Sequence, residues 1–101
     1  MATQNKTDID QLLADSLKQL ASKKLLEKIT IKEITDLAGA IRPTFYNHFQ
    51  DKFELLEWII KKELLEPVQP LIRNDMFTEA MLLLFTNIER DKAFYSHVGK
   101  L

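Results

Sequence analysis

The sequence predicts an all-α protein in which short helices, two of them forming a helix-turn-helix corner, precede further helices. Three observations carry this. Apolar residues recur at steps of three and four along almost the whole chain. Only 2 Gly and 3 Pro interrupt 101 residues, and the β-branched clusters that mark strands are scarce. Thr30 with Glu33, and Asp51 with Glu54, stand where apolar runs begin, in the spacing of reciprocal helix caps.

The elements follow in order. Residues 1–6 are polar and predicted disordered. A first helix is expected from Thr7, a residue of N-cap type, with Asp8 and Asp10 in its first turn. Ile9, Leu12, Leu13, Leu17, Leu20 and Ala21 form its apolar stripe, and Lys18, Lys23 and Lys24 its solvated basic end. Thr30 opens a second helix of about two turns that buries Ile31, Ile34, Leu37 and Ala38 and ends at Gly39 in a left-handed conformation. Phe45 and Phe49 then share one face of a third segment. Asp51 opens a longer helix carrying Phe53, Leu56, Ile60 and Leu64 on one side, with Leu55 and Ile59 beside them. Pro67 is expected to end it and Pro70 to delay a restart, so residues 66–74 read as a linker. A last full helix is expected near Asp75; from Met76 to Ile88 it is apolar nearly all round and needs enclosure. Residues 91–101 read as a turn and the opening of one more helix.

Composition narrows the function. The length suits one domain with a fragment of a second. Hydrophobic content of 46% and charged content of 29% argue against disorder. The absence of cysteine excludes disulfides, thiolate metal sites and a thiol nucleophile. The longest apolar run, Ala80 to Phe85, is far short of the ~20 residues of a membrane span. The first residues lack an apolar signal region, so the expected location is the cytoplasm. A net charge of -1 argues against coating nucleic acid by bulk positive charge, but not against a small, locally basic reading surface.

The chemistry of residues 42–49 points to such a surface. At about 100° per residue, Phe45 and Phe49 face the core while Pro43, Thr44 and Asn47 face the opposite way, flanked by Tyr46 and His48. Short outward side chains let a helix approach base edges closely, and flanking polar groups reach the phosphate walls. No carboxylate occurs from Leu37 to Gln50, where phosphate would repel one. Arg42 stands at the start of the helix, and Arg is the commonest reader of guanine. Lys52 at the next helix start, and Thr30 with Lys32 at the second, suit phosphates.

The run Ile29-Thr30-Ile31-Lys32-Glu33-Ile34, then Ala38-Gly39-Ala40, Thr44-Phe45-Tyr46-Asn47-His48-Phe49 and Asp51-Lys52-Phe53-Glu54-Leu55-Leu56 resembles the N-terminal DNA-binding domain of TetR-family transcriptional regulators. The resemblance spans about residues 8–60. It implies a helix-turn-helix DNA-binding domain over 7–60 and, over 61–101, the first part of a helical effector-binding and dimerisation domain. It further implies phosphate contacts from Thr44, Tyr46, His48 and Lys52, with Arg42, Pro43 and Asn47 at or near bases. The implied partners are double-stranded operator DNA, a small-molecule effector and a second copy in a homodimer, and the implied role is a ligand-responsive repressor. Phe77 and Phe94-Tyr95 are similar to the branch that includes dihydroxyacetone-kinase operon regulators. Two departures stand out. Ile41 replaces the Ser or Thr that caps the recognition helix in the family; Pro43 then suggests a start one residue later, with Arg42 extended as the cap. Family members are also about twice as long, so the late helices that complete the dimer interface and pocket are missing from this sequence.

Plainer roles stand beside these. Tyr46 and His48 also fit ordinary surface positions, Lys52 a solvated one, and Thr30 a purely capping one. Trp58, Met81 and Phe85 read either as packing or as ligand-pocket lining. The two histidines, His48 and His97, lack metal-ligand spacing, and Asp51 is expected to cap rather than to ligate. No nucleophile elbow, Walker loop or dinucleotide fingerprint is present, so neither enzymatic activity nor a cofactor is expected. The alternative class is a helical protein-interaction or ligand-binding module that acts as a co-regulator without strong DNA binding.

Overall fold

The computed structural model describes residues 6–99, with side chains from Asp8 onward. Seven α-helical segments follow one another, with no strand among the described residues: α1 (Lys6–Ala21), α2 (Ile31–Ala38), α3 (Arg42–His48), α4 (Lys52–Ile60), α5 (Glu66–Arg73), α6 (Phe77–Arg90) and α7 (Lys92–Val98). Of the tail expected to be disordered, residues 1–5 lie outside the described ones, whereas Lys6 already belongs to α1. Thr7 is therefore inside the first turn rather than at the cap.

α1 is the central element. Leu13, Ala14, Leu17 and Ala21 on one stripe are fully buried, and α2, α3, α4 and α7 pack around it. Leu26, Ile29, Ile34, Phe45, Phe49, Leu55, Leu56, Ile59 and Phe94 complete one continuous core. Phe94 brings α7 into the same core as the helix-turn-helix. Polar bonds fix the docking. The Ser16 hydroxyl donates to the Ile34 carbonyl at 2.6 Å, and His97 Nδ1 donates to the Ala21 carbonyl at 2.6 Å, satisfying one of the acceptors left open at the end of α1.

The reciprocal cap expected at Thr30 forms. Thr30 Oγ1 accepts from the Glu33 amide at 3.1 Å while Glu33 Oε1 accepts from the Thr30 amide at 2.9 Å. Bonds from the Lys24 ammonium, then from the Thr30 amide, hold the Glu33 carboxyl below the ordinary range. Gly39 ends α2 at φ 72°, where a Cβ would be strained. Asp51 caps α4 through the Glu54 amide at 2.9 Å, but the Glu54 carboxylate accepts from the Gln50 amide at 2.9 Å rather than from that of Asp51, so this cap is not the reciprocal one expected. The buried arc of α2 is displaced from the expected one: Thr35 is inside and Leu37 is 45% exposed. Burial of Thr35 costs little because its hydroxyl donates back to the Ile31 and Lys32 carbonyls at 3.1 Å.

The expected linker is instead helix. Residues 61–65 form a π-turn, closed by the Glu66 amide on the Lys61 carbonyl, and the rod runs on into α5. Proline normally breaks a helix by lacking an N–H and by crowding the carbonyl four residues back. Here Pro67 falls in the first turn of α5, and the carbonyl four residues earlier, that of Glu63, accepts from Asn87 Nδ2 of α6 at 3.1 Å. Neighbouring α6 thus supplies the donor that the proline withholds.

α6 is not enclosed. Among the described residues it packs mainly on α5 and the π-turn, which buries Ala80 and leaves Phe77, Met81, Leu82 and Phe85 between 49% and 62% exposed. No described helix is long and apolar enough to cross a membrane.

Candidate nucleic-acid interface

Two short helices and a tight turn position the site. α2 ends at Gly39, the chain passes Ala40 to an extended Ile41, and α3 begins at Arg42. The N-cap is therefore Ile41 itself, at φ −117° and ψ 161°, without a side-chain cap. Arg42 lies in the first turn rather than being the cap inferred from Pro43. With Ile already extended, the proline is accommodated in that turn without shifting the start.

Phe45 is fully buried and Phe49 is 5% exposed, their rings 6.0 Å apart, so α3 is pinned from beneath. The opposite side carries Arg42, Pro43, Tyr46 and Asn47, all exposed, with Thr44 half-buried beside them. No side-chain hydrogen bond or ion pair among the described residues engages Arg42, Thr44, Tyr46 or Asn47. Tyr46 is held only by an edge contact with Phe45 at 5.4 Å. The helix thus presents a row of donors and acceptors with no internal partners.

The remaining predicted contacts are engaged within the chain. Thr30 is committed to its cap, and Lys32 is exposed in an ion pair with Asp36 at 2.7 Å, of the surface kind worth under about 1 kcal/mol. His48 does not flank the outward face freely; it is half-buried, with Nδ1 donating to Asp10 Oδ1 of α1 at 2.8 Å. The Lys52 ammonium donates to the Leu26 and Ile29 carbonyls at 2.7 and 2.8 Å, at the turn joining α1 to α2, which leaves one of its three N–H donors for a phosphate.

The predicted ligand residues are not brought together. Trp58 packs edge-on against Phe49 at 6.3 Å and lines a cleft of about 330 Å³ with Asp10, His48, Glu54, Glu57 and Lys61. Phe85 lines a different, open groove with Leu82 and Thr86. Met81 lies exposed on α6.

One cluster was not foreseen. Lys18, expected to be solvated, bridges Glu63 at 2.7 Å and Asp91 at 2.8 Å, and the Tyr95 hydroxyl donates to Glu63 at 3.1 Å. Burial alone lowers the Lys18 pKa, but the bonds to Asp91 and Glu63 outweigh it and raise it above the ordinary lysine value. Burial, then the charge and hydrogen bond of Glu63, raise that of Tyr95. The network joins α1 to the π-turn and α7, over long sequence separations that no local pattern announces.

Fold and site together define a helix-turn-helix protein with an open second half. No protein-family model matches the chain. It is 27% identical over 88 residues to the HTH-type dhaKLM operon transcriptional activator DhaS of Lactococcus lactis, covering 87% of this chain and 47% of that protein. A solved structure titled dihydroxyacetone kinase operon activator DhaS superposes with a TM-score of 0.71 at 28% identity, over 86% of this chain and 49% of the other. The chain spans about half the length of these relatives, which are transcriptional regulators rather than enzymes. The likeness supports a transcription regulator.

Proposed function

We propose that the chain is a DNA-binding transcription regulator of the TetR type, with residues 7–60 as the DNA-reading domain and residues 61–101 as the start of an effector-binding and dimerising part. The observation that carries this is the outward face of α3: Arg42, Pro43, Thr44, Tyr46 and Asn47 on a helix-turn-helix, without internal polar partners, in a segment that lacks any acid from Leu37 to Gln50. Arg42 and Asn47 suit base edges, and Thr44 and Tyr46 the phosphates beside them. Thr30 and Lys32 at the start of α2, and Lys52 through the N–H not committed to its carbonyls, suit the flanking backbone. A homodimer would set two α3 helices about one helical turn of DNA apart, and an effector that changes this spacing would change affinity. Both relatives are activators, which supports activation, rather than the repression expected from the sequence, as the sense of regulation.

A second reading has its own support. The exposed Phe77, Met81, Leu82 and Phe85 of α6 suit a protein partner, as in a co-regulator without strong DNA binding. Selection from a random-sequence duplex library separates the two. Enrichment of a consensus supports the first reading; uniform recovery of all sequences at low salt would leave only the second.

A further inference from the structure

We propose that Asp10 is a positioning residue of the DNA-reading surface, acting through His48 to fix the rotation of α3 on α1. This rests on the reading of α3 as the DNA-facing helix. α3 has only seven residues and no side-chain N-cap, so it has little rigidity of its own. Phe45 and Phe49 hold it down, but apolar contacts are non-directional and tolerate a roll about the helix axis. Directional restraint comes from one place. Among the described residues, His48 Nδ1 to Asp10 Oδ1, at 2.8 Å, is the one side-chain hydrogen bond that ties α3 to another helix.

Its two side chains are 15% and 9% exposed, so water competes poorly for either. Asp10 has no other hydrogen-bond partner among the described residues, and a carboxylate this enclosed is costly once its donor moves away. A roll of α3 that breaks the bond is therefore opposed by Asp10. Asn47 adjoins His48 in sequence, Tyr46 lies in the same final turn and Thr44 one turn before His48, so their direction is fixed with that of His48. With Nδ1 committed to Asp10, the ring keeps only Nε2 for any other partner. Across the cleft stand Glu54, Glu57 and Lys61, none of them hydrogen-bonded to His48. The pair thus orients groups that touch DNA without needing to touch it.

The test is a double-mutant cycle in the full chain. It uses the duplex enriched from a random library and a random-sequence duplex of equal length, well below the melting temperature of every variant. Asp10→Ala and His48→Ala are each expected to lower the preference for the enriched duplex about tenfold, with the salt slope unchanged and the double variant losing no more than either single one. Asp10→Asn keeps an acceptor oxygen and is expected to stay within about threefold of the parent. Additive losses would overturn the inference, as would a lower urea midpoint with unchanged preference. So would a salt slope reduced by about 0.9 in His48→Ala but not in Asp10→Ala, which would make His48 a phosphate ligand independent of Asp10. If the parent chain enriches no duplex, the DNA reading itself fails and the inference falls with it.

Discussion

Replacing Lys52 by Met keeps an unbranched side chain of similar length and removes the ammonium. In the free protein that ammonium closes the turn between α1 and α2 from the start of α4, through the Leu26 and Ile29 carbonyls at 2.7 and 2.8 Å. Hydrogen bonds to charged groups contribute about 1.5–3 kcal/mol. Lys52 is half-buried and the freed carbonyls can take up water, so about 2 kcal/mol is the expected loss. With a urea m-value of about 1 kcal/mol/M for a chain of this size, the midpoint should fall by roughly 2 M. Urea unfolding followed by far-UV circular dichroism measures this directly. An unchanged midpoint, accompanied by a salt slope for DNA binding lower by about 0.9, would refute the strut and return Lys52 to a phosphate contact alone.

Phe45→Ala should destabilise the chain by about 3–5 kcal/mol, since the ring is fully buried beneath α3; a loss below about 1 kcal/mol on urea unfolding would contradict the described core. Lys18 and Tyr95 both have folded-state pKa values above their unfolded ones. Their contributions are therefore complete below the ordinary values, near 10, and lost as pH rises through the raised ones. The urea midpoint should fall as the pH rises above about 10, less steeply in Tyr95→Phe, and equal slopes in both proteins would count against the network. Asn47→Ala should change which bases are preferred at one or two positions by about 1–3 kcal/mol, whereas Tyr46→Ala should weaken all sequences alike. Binding titrations against single-position variants of an enriched duplex distinguish these outcomes.

What was legible in the sequence was local. The Thr30–Glu33 and Asp51–Glu54 pairs and Gly39 act within one helical turn, so their spacing alone predicts the caps that form. The outward row on α3 follows from the angle between successive residues and needs no knowledge of neighbours. The roles of His48 and Lys52 were less legible because their partners, Asp10 and the Leu26 and Ile29 carbonyls, are distant in sequence and meet them only after α1 docks. Lys18 was misread for the same reason: a lysine at the end of an amphipathic helix looks solvated until Glu63 and Asp91 arrive from elsewhere. The supposed linker failed differently. Pro67 and Pro70 are ordinary break signals, and only the π-turn and the Asn87 amide explain why the rod continues. The exposed side of α6 is the converse case, in which periodicity correctly finds an apolar surface but the described residues do not cover it.

The outward face of α3 is the surface proposed to meet DNA. Titrating the isotopically labelled chain with an enriched duplex, and following backbone amide shifts by NMR, tests it most directly. The largest changes are expected at residues 42–47, with smaller ones at the starts of α2 and α4 and little change along the exposed side of α6. Changes concentrated on Phe77 to Phe85, with residues 42–47 unmoved, would contradict it.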